Sequence, residues 1–392
     1  MSKDEQVSFS IEGIHYATGS PVRINISNGI IQDIKEIQNI KELSNVQYIS
    51  PGLIDNQING YANVDFSGSD LLQEDIIKAA KAIWYEGVTT FLPTLTSNSH
   101  ERLKTNFAIL DKALQNNEKL RESVPGFHLE GPYISPLDGY RGCHPAKHIR
   151  KPSLEEFLEY QEAAGGRIIQ VTIAPELDGA SEFIQSCNRN GVVVAMGHTN
   201  ASAEEIKHAV ENGVRLSTHL GNGCANLIHR HNNPIWPQLA NDQLTPSIIA
   251  DGHHLTPEEI RVFYKVKGPD NLILTSDIVF LAGMAPGKYS YFDTEVILTE
   301  EGMLIDAQHN CLAGASFPLK KGVENIMNFT GCSLTRAIDM ASSNVARIYN
   351  LNDRGILAAG KRADLILFER DGNQIHIKKT WLNGNLVYHG EN

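Results

Sequence analysis

The stretch GFHLEGP, Gly126 to Pro132, is shaped like a short buried strand, yet it delivers a carboxylate at its end just before a glycine–proline stop. An ionised carboxylate is costly inside a protein unless it is paired, hydrogen-bonded or bound to a cation, so Glu130 must face something. Seven other runs share the design: LIDNQI from Leu53, VTTFLPT from Val88, IIQVTIAPE from Ile168, VVVAMGH from Val192, RLSTHL from Arg215, SIIADG from Ser247 and LILTSD from Leu272. Each is short, apolar and rich in β-branched residues, and each ends in polar or glycine-containing sequence. Amphipathic segments separate them, among them DLLQEDIIKAAKAIWYEG, ERLKTNFAILDKALQNN, SLEEFLEYQEAAGG, SAEEIKHAVENG and TPEEIRVFYKVKG. Several open on a Ser, Thr or Asp cap followed by acid and close on glycine, as helices do.

Eight strands, each followed by a helix-like segment, predict an α/β fold: a closed (β/α)8 TIM-type barrel over residues 51–355. An open doubly wound sheet would bring a glycine-rich nucleotide loop after its first strand, and NQINGYANVDF is not one. The two ends read differently. RINISNGIIQDIKEI near the start, and ADLILFERDG with IHIKKTWLNGNLVYH near the end, are hairpin-like. Neither is long enough to bury a core alone, so residues 1–50 and 356–392 are expected to pair into one small β-sandwich domain.

With 392 residues, 41% hydrophobic and 20% charged, the chain has ordinary globular composition. A net charge of −12 without a basic patch argues against nucleic-acid binding, though a local pocket can still oppose the global sign. The N-terminus lacks an apolar leader, no run reaches the ~20 residues of a membrane span, and five unpatterned cysteines fit a reducing interior. A cytoplasmic, membrane-free protein is expected.

Barrel enzymes build their sites at the C-terminal ends of strands. Those ends offer Gln57 and Asn59, Glu130, His198, His219, Asp251 with His253 and His254, and Asp277. Glu130, His198 and His219 make a carboxylate and two imidazoles, the ligand set of an open zinc site with a fourth position for water. Iron, cobalt and manganese suit the same ligand types. Asp277 is placed to act as general base, with Gln57 near the metal's water. Taken singly, each residue has a plainer reading. His198 could be a satisfied structural histidine, Glu130 could pair with an arginine such as Arg141, and Asp277 could cap the next segment. It is their convergence on one rim that points to one divalent ion.

The motifs PGLIDNQING, FHLEGPYI, MGHTNA, THLGNG, IADGHH, LILTSD and LAGAS resemble the N-acetylglucosamine-6-phosphate deacetylase family of the amidohydrolase superfamily, from about Pro51 to the C-terminus. Most amidohydrolases carry His-x-His after strand one; this chain has Gln57 and Asn59, the replacement that the deacetylases share, which implies one metal. The resemblance assigns Glu130, His198 and His219 to the metal and Asp277 to proton transfer. It gives His144 the task of polarising the acetamide carbonyl and His254 a contact to the sugar. Cys143, Leu312, Ala313 and Gly314 fall where the family lines its acetyl or sugar pocket. Without the resemblance His144 reads as a surface loop histidine, and His253, which has no counterpart, as packing or solvent-facing.

The implied reaction releases acetate from an N-acetylated amino-sugar phosphate, by attack of water on a carbonyl whose oxyanion is held electrostatically. The phosphate region departs from the family's THLYNAM and Arg-Glu-Pro-Gly segments and reads THLGNGCANLIHRHNNPIW. Asn222 and Gly223 hold the phosphate positions, and Arg230 falls at the distance of an arginine that the family sends across from a dimer partner. IVFLAGMAPG after Asp277 departs as well. Two other readings stay open: the same chemistry on an unphosphorylated or different N-acyl substrate, and a silent sugar-binding scaffold.

Overall fold

The computed structural model describes residues 8–38, 46–291, 294–308 and 311–390; residues 1–7, 39–45 and 391–392 of the expected terminal β domain lie outside these. Eight parallel strands hydrogen-bond in chain order: Leu53–Ile58, Val88–Thr96, Phe127–Glu130, Ile168–Ile173, Val193–Met196, Leu216–Ser217, Thr245–Ile249 and Ile273–Thr275. A parallel bridge between Ile58 and Ile278 returns the eighth strand to the first and closes the barrel. Strands covered on both faces need no polar alternation, and all nine residues of Val88–Thr96 are buried. Outside run helices Gln73–Tyr85, His100–Asn116, Leu154–Ala163, Ala180–Arg189, Ala203–Glu211, Pro257–Lys267 and Leu319–Thr330. Four start where the sequence marks a cap: the side chains of Ser99, Ser153, Ser202 and Thr256 each accept a backbone N–H of the first turn.

The inside of the barrel is polar, and this settles the histidine of the opening stretch. His128 is wholly buried, with Nδ1 3.2 Å from Thr94 Oγ1 and Nε2 2.8 Å from Thr172 Oγ1. The chain continues to Thr218 across 2.7 Å. Burial pushes the His128 pKa down to about 3, so the ring is a neutral link between strands rather than part of the mouth.

Both ends of the chain join one seven-stranded sheet. Gln47–Pro51 lies between Ser8–His15 and Leu365–Asp371, tying the N-terminal strands to the C-terminal ones Gln374–Leu382 and Asn385–His389. Ile24, Ile26, Ile31, Ile49, Leu365 and Trp381 share its core. An element that the sequence reading does not anticipate follows strand eight. Gly287–Tyr291, Thr294–Leu298, Leu304–Asp306 and Cys311–Leu312 form a four-stranded antiparallel sheet. It packs Val296, Leu298 and Leu304 against Val279 and Leu281, and so hangs over the barrel mouth.

Candidate active site

At the C-terminal ends of the strands opens a cavity of about 460 Å³. Three of the residues facing it share an unusual backbone. His198, His219 and Asp277, each two residues beyond its strand, have φ of 50°, 28° and 53°. Left-handed backbone is sparse for side chains other than glycine and persists where the surroundings enforce it, commonly at active sites.

The ligand atoms converge. His219 Nε2 lies 2.9 Å from Glu130 Oε1, His198 Nε2 3.2 Å from His219 Nε2, and His198 Nε2 3.4 Å from Glu130 Oε1. Ligands about 2.1 Å from one tetrahedral ion sit about 3.4 Å apart, so these separations suit a single cation. The protonation pattern agrees. His198 Nδ1 is 3.0 Å from the carbonyl of Tyr140, which can only accept, so the neutral ring carries its proton there and presents a lone pair at Nε2. Burial opposes the charge on Glu130, yet the two imidazoles at its oxygen hold the carboxyl well below the usual range. The salt bridge to Arg141 that Glu130 might have made is not formed; Arg141 pairs with Asp138.

A ring nitrogen of His144 also comes within 4.8 Å of ligand atoms on Glu130 and His198. His219 stands closer to both partners and completes the tighter trio. His144 Nδ1 is instead engaged by Ser97 Oγ at 2.8 Å, and burial, then the nearby His198, push its pKa down to about 3. A neutral, buried imidazole held by a hydroxyl can offer a hydrogen bond without carrying charge.

Asp277 is held by two amides. Gln57 Nε2 donates to Asp277 Oδ1 at 2.8 Å and to Glu130 Oε1 at 2.8 Å, and Asn59 Nδ2 donates to Asp277 Oδ1 at 2.7 Å. Gln57 therefore touches both carboxylates, a tighter role than a place beside a water. Oδ2 of Asp277 has no hydrogen bond among the described residues. Burial, and next the charge of Glu130, push the Asp277 pKa up to about 6, against the Asn59 hydrogen bond. A base tuned this way is close to neutral pH, where proton transfer works best.

Two glycines clamp the His198 ring. A Cβ on Gly223 would meet Nδ1 at 2.8 Å and Cε1 at 3.0 Å, and one on Gly142 would meet Cε1 at 3.2 Å. Gly223 also has φ of 60°. Gly223→Ala is therefore expected to cost about 1–2 kcal/mol of stability through its backbone. It should also push the ring off its ligand position and weaken metal affinity by about tenfold or more, the scale of orienting-shell changes. Competition with a chromophoric chelator measures this, and unchanged affinity would show that the glycine serves another purpose.

Cys143, His144, Asn222, His254, Leu312 and Gly314 line the cavity with the residues above. Ala313 turns into the core of the overhanging sheet beside Val279 and Leu281. His254 Nδ1 is 2.7 Å from Asp251 Oδ2, which explains Asp251: it orients the histidine. His253 lines the cavity too, but stacks on Phe317 and sets Nε2 3.2 Å from the carbonyl of Glu301. Arg230 is exposed and outside the cavity of its own chain. Sequence reasoning missed Ser97, Tyr140 and the wall formed by Tyr291, Cys224 and Cys311. Ser97 directly follows strand two and could have been found by treating that strand end like the others.

The amidohydrolase family model matches residues 48–387. An N-acetylglucosamine-6-phosphate deacetylase from Bos taurus is 32% identical over 355 residues, 88% of this chain and 84% of that protein. An N-acetylgalactosamine-6-phosphate deacetylase from a Shewanella species is 29% identical over 94% of this chain and 92% of its own. The crystal structure of the N-acetylglucosamine-6-phosphate deacetylase of Thermotoga maritima superposes with a TM-score of 0.85 at 30% identity, covering 97% of this chain and all of that one.

Proposed function

The chain belongs to the N-acetylglucosamine-6-phosphate deacetylase family of amidohydrolases, and from that premise we propose that it hydrolyses the acetamide of N-acetylglucosamine 6-phosphate to glucosamine 6-phosphate and acetate. The observation that carries the reading is the single cluster in which Gln57 joins the Glu130–His198–His219 trio to Asp277. Family membership implies a divalent metal site. Glu130, His198 and His219 would hold the ion, and zinc suits two imidazoles and a carboxylate. When bound, such an ion supplies Lewis acidity toward a carbonyl and makes water more acidic.

The remaining work falls to the chain's own groups. Asp277, its Oδ1 fixed by two amides, takes the proton of the attacking water at Oδ2 as the C–O bond forms and the carbonyl opens to an oxyanion, and returns it to the amine nitrogen as the oxyanion collapses and the C–N bond breaks. Neutral His144, steadied by Ser97, donates to the carbonyl oxygen as it gains charge. His254, oriented by Asp251, contacts the sugar, with Cys143, Leu312 and Gly314 walling the acetyl and ring positions. Asn222 and Gly223 meet the phosphate. Arg230 serves it only if a second copy of the chain delivers it, which makes a homodimer part of the proposal.

Acetate release from N-acetylglucosamine, N-acetylgalactosamine and their 6-phosphates tests this. The 6-phosphate of N-acetylglucosamine should exceed its free sugar by at least about tenfold in kcat/KM, the scale of one charge-assisted contact. Equal rates on free and phosphorylated sugars would refute the phosphate, and a preference for the galactose epimer would shift the reading to the other relative's substrate.

A further inference from the structure

Strand one carries a carboxylate that the chemistry above does not use. Asp55 is buried, and hydroxyl and backbone N–H groups surround it rather than a cation. Burial pushes its pKa up to about 6, against the pull of those donors, so the chain keeps this acid at a cost. Its place on the strand shows what it holds. Strand one pairs Asp55 with Phe91 and Ile58 with Pro93, three steps against two, so it bulges at Asn56 and Gln57. A bulge leaves one residue outside the ladder, bends the strand and re-aims a side chain, commonly beside an active site. Within this one, the N–H of Gln57 donates to Asp55 Oδ1 at 3.3 Å.

The same oxygen also accepts from strand eight. Thr275 Oγ1 lies 3.0 Å from it and the N–H of Ser276 3.2 Å. Strands eight and one stand at the two ends of the barrel order, and among the described residues no regular ladder joins them. Asp55 therefore ties the bulge to strand eight at the seam where the barrel closes. The residues just beyond this tie are the ones that proton transfer depends on. Gln57 is held by its N–H, and its carbonyl takes the N–H of Asp277 at 3.1 Å. Asp277 follows Ser276 with a left-handed φ of 53°, a conformation that its surroundings must enforce. The 2.8 Å contact from Gln57 Nε2 to Asp277 Oδ1 spans that seam.

We propose that Asp55 is a positioning residue: its carboxylate locks the bulge of strand one to the end of strand eight and so sets Gln57 and Asp277 in register for proton transfer. It makes no hydrogen bond to Glu130, His198 or His219 among the described residues, so it acts through Gln57 and Asp277 alone. The kinetic consequence rests on the deacetylase reading, and the structural one on the seam itself.

The test compares wild type with Asp55→Leu, Asp55→Asn and Thr275→Val. Leucine removes the acceptor. Asparagine keeps an oxygen where all three donors arrive, and places its amide where Oδ2 has no partner. Thr275→Val removes one donor and keeps the branched shape. The readouts are kcat and KM for acetate release from N-acetylglucosamine 6-phosphate, metal affinity by chelator competition, thermal melting, and crystal structures of the variants. Asp55→Leu should lower kcat by about 100-fold, the scale of a misplacement of about 1 Å, with KM and metal affinity nearly unchanged. Its structure should show Gln57 Nε2 withdrawn from Asp277 while Glu130, His198 and His219 stay together. Asp55→Asn should return kcat to within about tenfold of wild type, and Thr275→Val should lower it by about three- to tenfold. Equal losses in leucine and asparagine variants overturn the proposal, as does metal affinity or KM that worsens as much as kcat. A leucine variant that melts lower yet keeps its kcat makes Asp55 merely structural. Should Asp55→Leu not fold, Thr275→Val with an unchanged kcat and an unmoved Gln57–Asp277 contact overturns it instead. If wild type releases no acetate from the sugar, the substrate reading fails, and the variant structures alone decide whether Asp55 sets the pair.

Discussion

Asp277→Asn should lower kcat by about a thousandfold while leaving fold, metal content and KM nearly intact. The substitution is close to a pure removal of basicity. Gln57 and Asn59 both donate to Oδ1, an oxygen that asparagine keeps, so the side chain stays in place. What changes is the second position, where an oxygen able to accept a proton becomes an amide nitrogen that cannot. Stability should hold or rise, because the charge of Glu130 already disfavours a second carboxylate in this buried cluster. The measurements are steady-state acetate release, thermal melting and metal analysis of the purified variant. A kcat within tenfold of wild type would remove Asp277 from proton transfer. A melting point lowered by many degrees would mean that its role is structural.

The residues proposed for this chemistry are legible in the sequence because barrel geometry turns sequence position into spatial position. All eight strand runs quoted from the sequence are strands, and their polar ends meet at one mouth. The limits of the reading are equally physical. His128 and Glu130 stand two apart on one strand and read alike as polar intruders. One completes an internal chain of threonines and the other faces the histidines, a difference set by neighbouring strands. Gln57 reads as a residue near the ion, whereas its amide spans two carboxylates from strands three and eight. That contact joins residues 73 and 220 positions away, and no local pattern encodes it. The overhanging sheet from Gly287 to Leu312 does carry alternation in KYSY and TEVIL, but nothing in barrel periodicity reserves a place for it. Arg230, read from its spacing after His219 as an arginine that reaches a dimer partner's site, lies on an exposed loop outside its own chain's cavity.

Glu130→Gln should abolish metal retention and with it activity, by more than about a thousandfold, the combined loss of the ion's Lewis acidity and of activated water. The reason lies in the charge balance of the trio. An imidazole ligates a cation only through an unprotonated nitrogen, so Glu130 supplies the only negative charge among the three ligand atoms. Glutamine keeps the shape but presents a neutral oxygen or an N–H, and an N–H directed at two imidazole nitrogens about 3 Å away would occupy the ion's place. The same ion binds the folded chain and not the unfolded one, so saturating wild type with zinc should raise its melting temperature, by linkage. Chelator should reverse both the shift and the activity, and added zinc should restore them. Glu130→Gln should melt at one temperature with or without zinc. If instead the variant kept stoichiometric metal, the carboxylate would not be a ligand. If chelated wild type released acetate at its full rate, Asp277 and His144 would have to act unaided, and the trio would be a structural hydrogen-bond cluster under the catalytic floor.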